Sequence, residues 1–128
     1  MILKNNKYLL PNKYVSKANS NLTDFFTVNT TDVTLNSSSW AYLSNNVLCV
    51  YLSVTLKSSL SSNTLVTLGN FVEGYRPPNA MYIAAHEWVS GTNVVKPVGA
   101  VVNANNGALA IYTPTASKDY IAYVVYAL

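Results

Sequence analysis

Residues 68–88 read LGNFVEGYRPPNAMYIAAHEW, and the alternation of apolar runs with turn residues in this stretch decides the fold class. Leu68 ends one strand, Gly74 supplies a turn, Pro77 and Pro78 form a rigid corner, and Met81 opens the next strand. Glycine reaches backbone angles closed to other residues, and each proline holds its own φ at about −65°. A proline also steers the residue before it into extended backbone, which straightens Arg76 and Pro77. Glu73, Gly74, Tyr75, Arg76 and Pro77 thus form a structural corner. Arg76 is expected to bond Glu73, another carboxylate or a carbonyl, and Tyr75 to pack beneath.

The flanking runs have a period of two. In Val47–Leu56, Leu48, Val50, Leu52, Val54 and Leu56 share one face, and Val47, Cys49, Tyr51, Ser53 and Thr55 share the other. Further strands are expected at Phe25–Val28, Asp32–Leu35, Trp40–Leu43, Thr64–Leu68, Met81–Val89, Val94–Val102, Ala108–Tyr112 and Tyr120–Leu128. Asn45-Asn46 and Asn106-Gly107 mark hairpin turns, and Pro97 confines the first half of its strand to an edge or bulge. Strands recurring every ten or so residues, with turns between them, predict an all-β chain. The expected fold is an antiparallel β-sandwich or jelly roll with an extended N-terminal arm. The arm or neck segment is placed at residues 1–30 and the head domain at 31–128.

Composition narrows the function. The chain has 128 residues, half of them hydrophobic and only 10% charged, against about 25% charged in an ordinary domain. Its net charge of +3 is unevenly spread. Lys4, Lys7, Lys13 and Lys17 precede any acidic residue, so the positive charge belongs to the arm and the body is nearly neutral. With one arginine in the chain, little bidentate phosphate or base chemistry is on offer, and no nucleic-acid partner is expected. The basic arm fits docking on an acidic protein surface, or a plain solubilising tail. No apolar run approaches the length of a membrane span or a signal-peptide core, so synthesis in a cytoplasm without secretion is expected.

Candidate chemistry is sparse. There is one histidine, one cysteine and five carboxylates. His86 and Glu87, as strand neighbours, point to opposite faces. Asp24, Asp32 and Asp119 lack the spacing of a calcium loop, and Cys49 can form no disulfide within the chain. No enzyme, metal or cofactor is expected. The best ligand platform is Trp88 beside the Ser90–Asn93 loop, with His86 and Tyr82 on its face and Asn93 within reach; the other reading of Trp88 is core packing. Trp40 is a second platform.

The last strand is apolar on both faces, Tyr120, Ala122, Val124 and Tyr126 against Ile121, Tyr123, Val125 and Ala127. An antiparallel strand ordinarily shows water one polar face. The second faces need a cover, either the arm or a neighbouring subunit, and Tyr120, Tyr123, Val125 and Tyr126 are the expected subunit contacts.

Leu68, Gly74, Tyr75, Arg76 and Pro77 are similar to the Leu…Gly-Tyr-Arg-Pro corner of a recurrent domain of tailed bacteriophages, the head of tail-fibre and receptor-binding proteins. Gly69-Asn70-Phe71-Val72 and Pro78 depart from that pattern. The rhythm of Gly99–Ile111 and the closing strand are similar too, so the resemblance covers Asp32–Leu128. It implies a trimeric β-sandwich virion protein, on a fibre or baseplate, touching a bacterial surface polysaccharide. The alternative is a capsid-decoration, head-fibre or tail adaptor protein that docks on other virion proteins by its arm and binds no receptor. A cell-wall hydrolase accessory would need clustered carboxylates, which the sequence lacks.

Overall fold

The computed structural model describes residues 21–57, 65–89, 91–92, 94–112 and 114–128. The lysine-bearing segment 1–20, and with it Lys4, Lys7, Lys13 and Lys17, lies outside the described residues, as does Asn93. Among the described residues nine strands form the body: β1 (Phe26–Val28), β2 (Val33–Leu35), β3 (Trp40–Ser44), β4 (Val47–Leu56), β5 (Leu65–Phe71), β6 (Met81–Trp88), β7 (Val95–Val102), β8 (Ala108–Tyr112) and β9 (Asp119–Ala127). All their pairings are antiparallel, in the order β1-β5-β8-β7-β6-β9-β4-β2. β3 lies beside β2 on the same edge of β4, pairing Val47–Tyr51 while β2 pairs Val54–Leu56. The sheet curls on itself into a nearly closed sandwich, as the period-two pattern predicts.

Alternation places the core. Leu48, Val50, Leu52, Val54 and Leu56 of β4 and Tyr120, Ala122, Val124 and Tyr126 of β9 all point inward and are buried. Opposite them, Phe71 of β5 meets the Tyr126 ring edge-on at 5.4 Å and the Phe26 ring at 5.0 Å. These contacts tie both halves of the curled sheet together.

Three expectations are corrected. Tyr120 and Tyr126 are core residues and not subunit contacts, because each phenol finds a partner inside. Tyr120 Oη donates to Glu87 Oε1 at 3.2 Å and accepts from the Thr115 N–H at 2.7 Å. Tyr126 Oη donates to the Tyr75 carbonyl. Burial pushes both hydroxyls above the usual tyrosine range.

Secondly, residues 21–30, assigned to the arm, are part of the body from Asn21 onward. The Asn21 side chain caps a 3₁₀ turn at Leu22–Asp24, and Leu22, Phe25 and Phe26 are buried in the core. β1 then pairs with β5.

Thirdly, β5 does not end at Leu68 but continues to Phe71 through a register shift between Thr67 and Gly69. Gly69 makes this fit. A Cβ there would lie 2.3 Å from the Thr27 carbonyl oxygen and 2.5 Å from the Phe26 ring. An irregularity of this kind breaks the strict alternation by which a strand is recognised.

Candidate functional site

The Gly74–Pro77 corner is held by hydrogen bonds and ring packing within the chain. Arg76 donates from Nε to the Phe71 carbonyl at 3.3 Å and from Nη1 to the Asn105 carbonyl at 3.0 Å. It thereby ties the end of β5 to the β7–β8 turn. Tyr75 packs its ring against Phe25 at 4.9 Å, Pro77 is buried, and Glu73 is exposed.

The outer face of the sheet is different in kind. Directly paired residues of an antiparallel sheet share a face, so the register arranges outward side chains in rows. One row is Trp88, Asp119 and Thr55; the next is His86, Ile121 and Ser53. Beyond them come Tyr123, Tyr51 and Trp40, and then Val125, Cys49 and Tyr42. Asp119 is the only formally charged side chain in these four rows. The face therefore has a polar end, around Asp119, and an aromatic end, around Trp40.

At the polar end a cleft of about 260 Å³ is lined by Ser38, Tyr51, Ser53, Trp88, Asp119 and Ile121. Its polar groups are held in place. Thr55 Oγ1 donates to Asp119 Oδ1 at 2.6 Å. Ser39 Oγ accepts from the Ser53 N–H at 2.9 Å and donates to the Ser53 carbonyl at 3.0 Å. Asn36 Nδ2 donates to Ser53 Oγ at 3.2 Å. The β2–β3 connection is thus laced onto β4, which brings Ser38 to the cleft wall. Trp88 stands 42% exposed at its rim, available to a ligand rather than packed in the core.

The sequence grouped Trp88 with His86 and Tyr82, and all three do point outward from β6. Tyr82 is 80% exposed, but six residues at about 3.3 Å each put it roughly 20 Å from Trp88, beyond the span of one small ligand. His86, two residues from Trp88, is its neighbour on the face. Asp119 and Tyr51, the partners that complete the cleft, were not grouped with Trp88 in the sequence. Only the pairing of β6 with β9, and of β9 with β4, brings residues 51, 88 and 119 together.

A larger cavity, about 540 Å³, opens between β1 and β2 and is lined by Phe26, Val28, Val33, Leu35, Lys57 and four threonines. It sits at the seam where the sheet stops short of closing. Both the cavity and the cleft set polar groups beside an apolar wall, but of the two only the Trp88 cleft holds an exposed indole and a carboxylate. Among the described residues no three His, Cys, Asp or Glu side chains gather as a metal site would require. No helix among them is long and apolar enough to cross a membrane.

No family model and no curated protein matches the chain. Among solved structures, the chain is similar to the head domain of the lactococcal phage bIL170, described as a receptor-binding domain, with a TM-score of 0.60. The match covers 80% of this chain and 96% of that one, at 16% sequence identity. At that identity the likeness is one of fold.

Proposed function

We propose that this chain is the receptor-binding head of a phage tail protein, exposed on the virion, and that it holds a saccharide of the bacterial surface in the Trp88 cleft. The observation that carries the reading is the meeting of an exposed indole, a second aromatic wall at Tyr51 and an oriented carboxylate in one cleft of about 260 Å³. A sugar ring has an apolar C–H face that stacks on an aromatic ring and a rim of hydroxyls that donate to a carboxylate. Asp119 is bonded by Thr55 at one oxygen, and a carboxylate has capacity for further donors. Hydrogen bonds to a charged acceptor are the stronger kind. The cleft's size suits one sugar ring of a longer polymer. In this reading residues before the body, with Lys4, Lys7, Lys13 and Lys17, connect the head to other virion proteins.

The test is adsorption of fluorescently labelled protein to a panel of bacterial cells that includes lactococci, with surface polysaccharide intact or chemically stripped. Adsorption is expected on intact cells of a susceptible strain and not on stripped ones. Trp88→Ala is expected to weaken it at least tenfold, about 1.4 kcal/mol. Equal adsorption to stripped cells, or undiminished adsorption of the variant, would contradict the reading.

A further inference from the structure

We infer that the cavity between β1 and β2 is a second binding site, and that it takes a single-chain alkyl phosphate. The alkyl chain lies along Phe26, Val28, Val33 and Leu35, and the phosphate meets Lys57. The site shares no lining residue with the saccharide cleft and does not rest on that reading.

The space is built into the fold. β1 is tied to β5 and β2 to β4, at opposite ends of the strand order, so the two strands leave their connecting turn without pairing to each other. That turn is fixed in turn. The Asn29 N–H donates to the Leu68 carbonyl at 2.9 Å, Asn29 Nδ2 to the Thr67 carbonyl at 2.8 Å, and the Val33 N–H to the Asn29 carbonyl at 3.0 Å. Phe26 is held by its edge-on contact with Phe71. A cavity kept open by such contacts receives a ligand without a cost of opening it. Its volume of about 540 Å³ lies within the range of small-molecule sites, about 300–1,000 Å³, and the mouth of a curled sheet is a usual place for one.

The lining sets the chemistry of the ligand. Phe26 and Val33 are buried and Val28 and Leu35 half-buried, while Thr23, Thr27, Thr30 and Thr34 are exposed at the rim. Lys57 is the one charged side chain in the lining. Its backbone N–H donates to the Asp32 carbonyl at 2.9 Å and its Nζ to the Thr30 carbonyl, which fixes the ammonium at that end of the cavity. An ammonium has three donors, and among the described residues the other two have no partner. No carboxylate lines the cavity to neutralise it. A fixed cation beside an apolar wall is complementary to an anionic head on an apolar chain. Lysine is a point charge without the planar fork that matches a carboxylate, so a phosphate is the better head group. The Thr30 hydroxyl is a further donor beside it.

The test is isothermal titration calorimetry of the full chain with hexyl, octyl and decyl phosphate, each below its micelle concentration, alongside octanol. The expected result is one molecule bound per chain, with affinity rising by up to about fourfold for each added methylene. Octanol, which lacks the charge, is expected to bind about tenfold more weakly than octyl phosphate. Lys57→Gln keeps most of the stem, and circular dichroism checks its fold. It is expected to weaken octyl phosphate about tenfold and to leave octanol binding at the parent's level. In ¹⁵N NMR of the parent, octyl phosphate is expected to shift the Val28, Val33 and Leu35 amide signals and to leave those of Ser38 and Ile121 in place. Decyl phosphate that fails to bind at millimolar concentration, an affinity independent of chain length, or shifts confined to other amides would overturn the inference. So would undiminished binding of octyl phosphate by the folded variant. No saccharide enters these titrations, so their failure and that of the Trp88 cleft are distinguishable.

Discussion

Arg76 shows how single side chains hold this fold together. Its guanidinium spans two backbone carbonyls, Phe71 and Asn105, that are far apart in sequence. Lysine has the charge but not the planar fork, so Arg76→Lys is expected to lose most of the contact. A cost of about 1–3 kcal/mol in denaturant unfolding is expected. Tyr126 is the other pin, a buried phenol donating to the Tyr75 carbonyl beneath the same corner. Burial raises its pKa above the ordinary tyrosine value of about 10, so the unfolded chain ionises first as the solution becomes alkaline. The stability this phenol contributes is whole below a pH of about 10 and is lost as pH rises through the raised native value. Thermal melts followed by circular dichroism should therefore fall steeply above that pH. Tyr126→Phe should melt lower at neutral pH but show a shallower alkaline fall.

Strands were legible where alternation was clean and obscured where a single residue interrupted it. β4 has the expected bounds because Leu48, Val50, Leu52, Val54 and Leu56 recur at every second position and are buried, and the Asn45-Asn46 turn is confirmed by two positive φ values, 52° and 66°. β5 was expected to stop at Leu68, yet the strand runs on to Phe71 through the register shift at Gly69. The glycine is there for space, not for a turn. Gly69→Ala is expected to cost about 3 kcal/mol, at the upper end of overpacking effects, since the clash is with backbone and cannot be relieved by a side chain. A native-like melt of that variant would mean that β1 does not press on β5 as closely as described. For the outer face, alternation identified Val47, Cys49 and Tyr51, and also Tyr123 and Val125, as needing a cover. It could not say which face of β9 turned inward, because both faces are apolar. Tyr120 and Tyr126 were misplaced for that reason.

For the whole molecule, the order of strands decides what the sequence alone could not. Trp88 stood out as an exposed aromatic beside a polar loop, but its cleft partners lie 31 and 37 positions away and meet it only through two strand pairings. No local pattern marks Asp119 as a ligand group; it is one more polar residue at the start of a strand. The result is a single sheet face with two chemistries, a polar cleft at one end and an uncharged aromatic patch at the other. Asp119→Asn keeps the shape of the cleft and removes the charged acceptor. It is expected to weaken saccharide adsorption about tenfold, less than the loss on removing the indole.

The chain has two tryptophans, one in each part of that face, so their indole N–H signals report on the two parts separately. The most direct measurement is a ¹⁵N NMR titration of the full chain with a bacterial surface polysaccharide from an adsorbing strain, the signals assigned with Trp88→Phe. The account predicts that the Trp88 indole signal shifts on addition of the polysaccharide by more than the Trp40 signal, which the cleft reaches only through Tyr51. A shift at Trp40 alone, or no shift at either indole under conditions where the protein coats the cells, would contradict it.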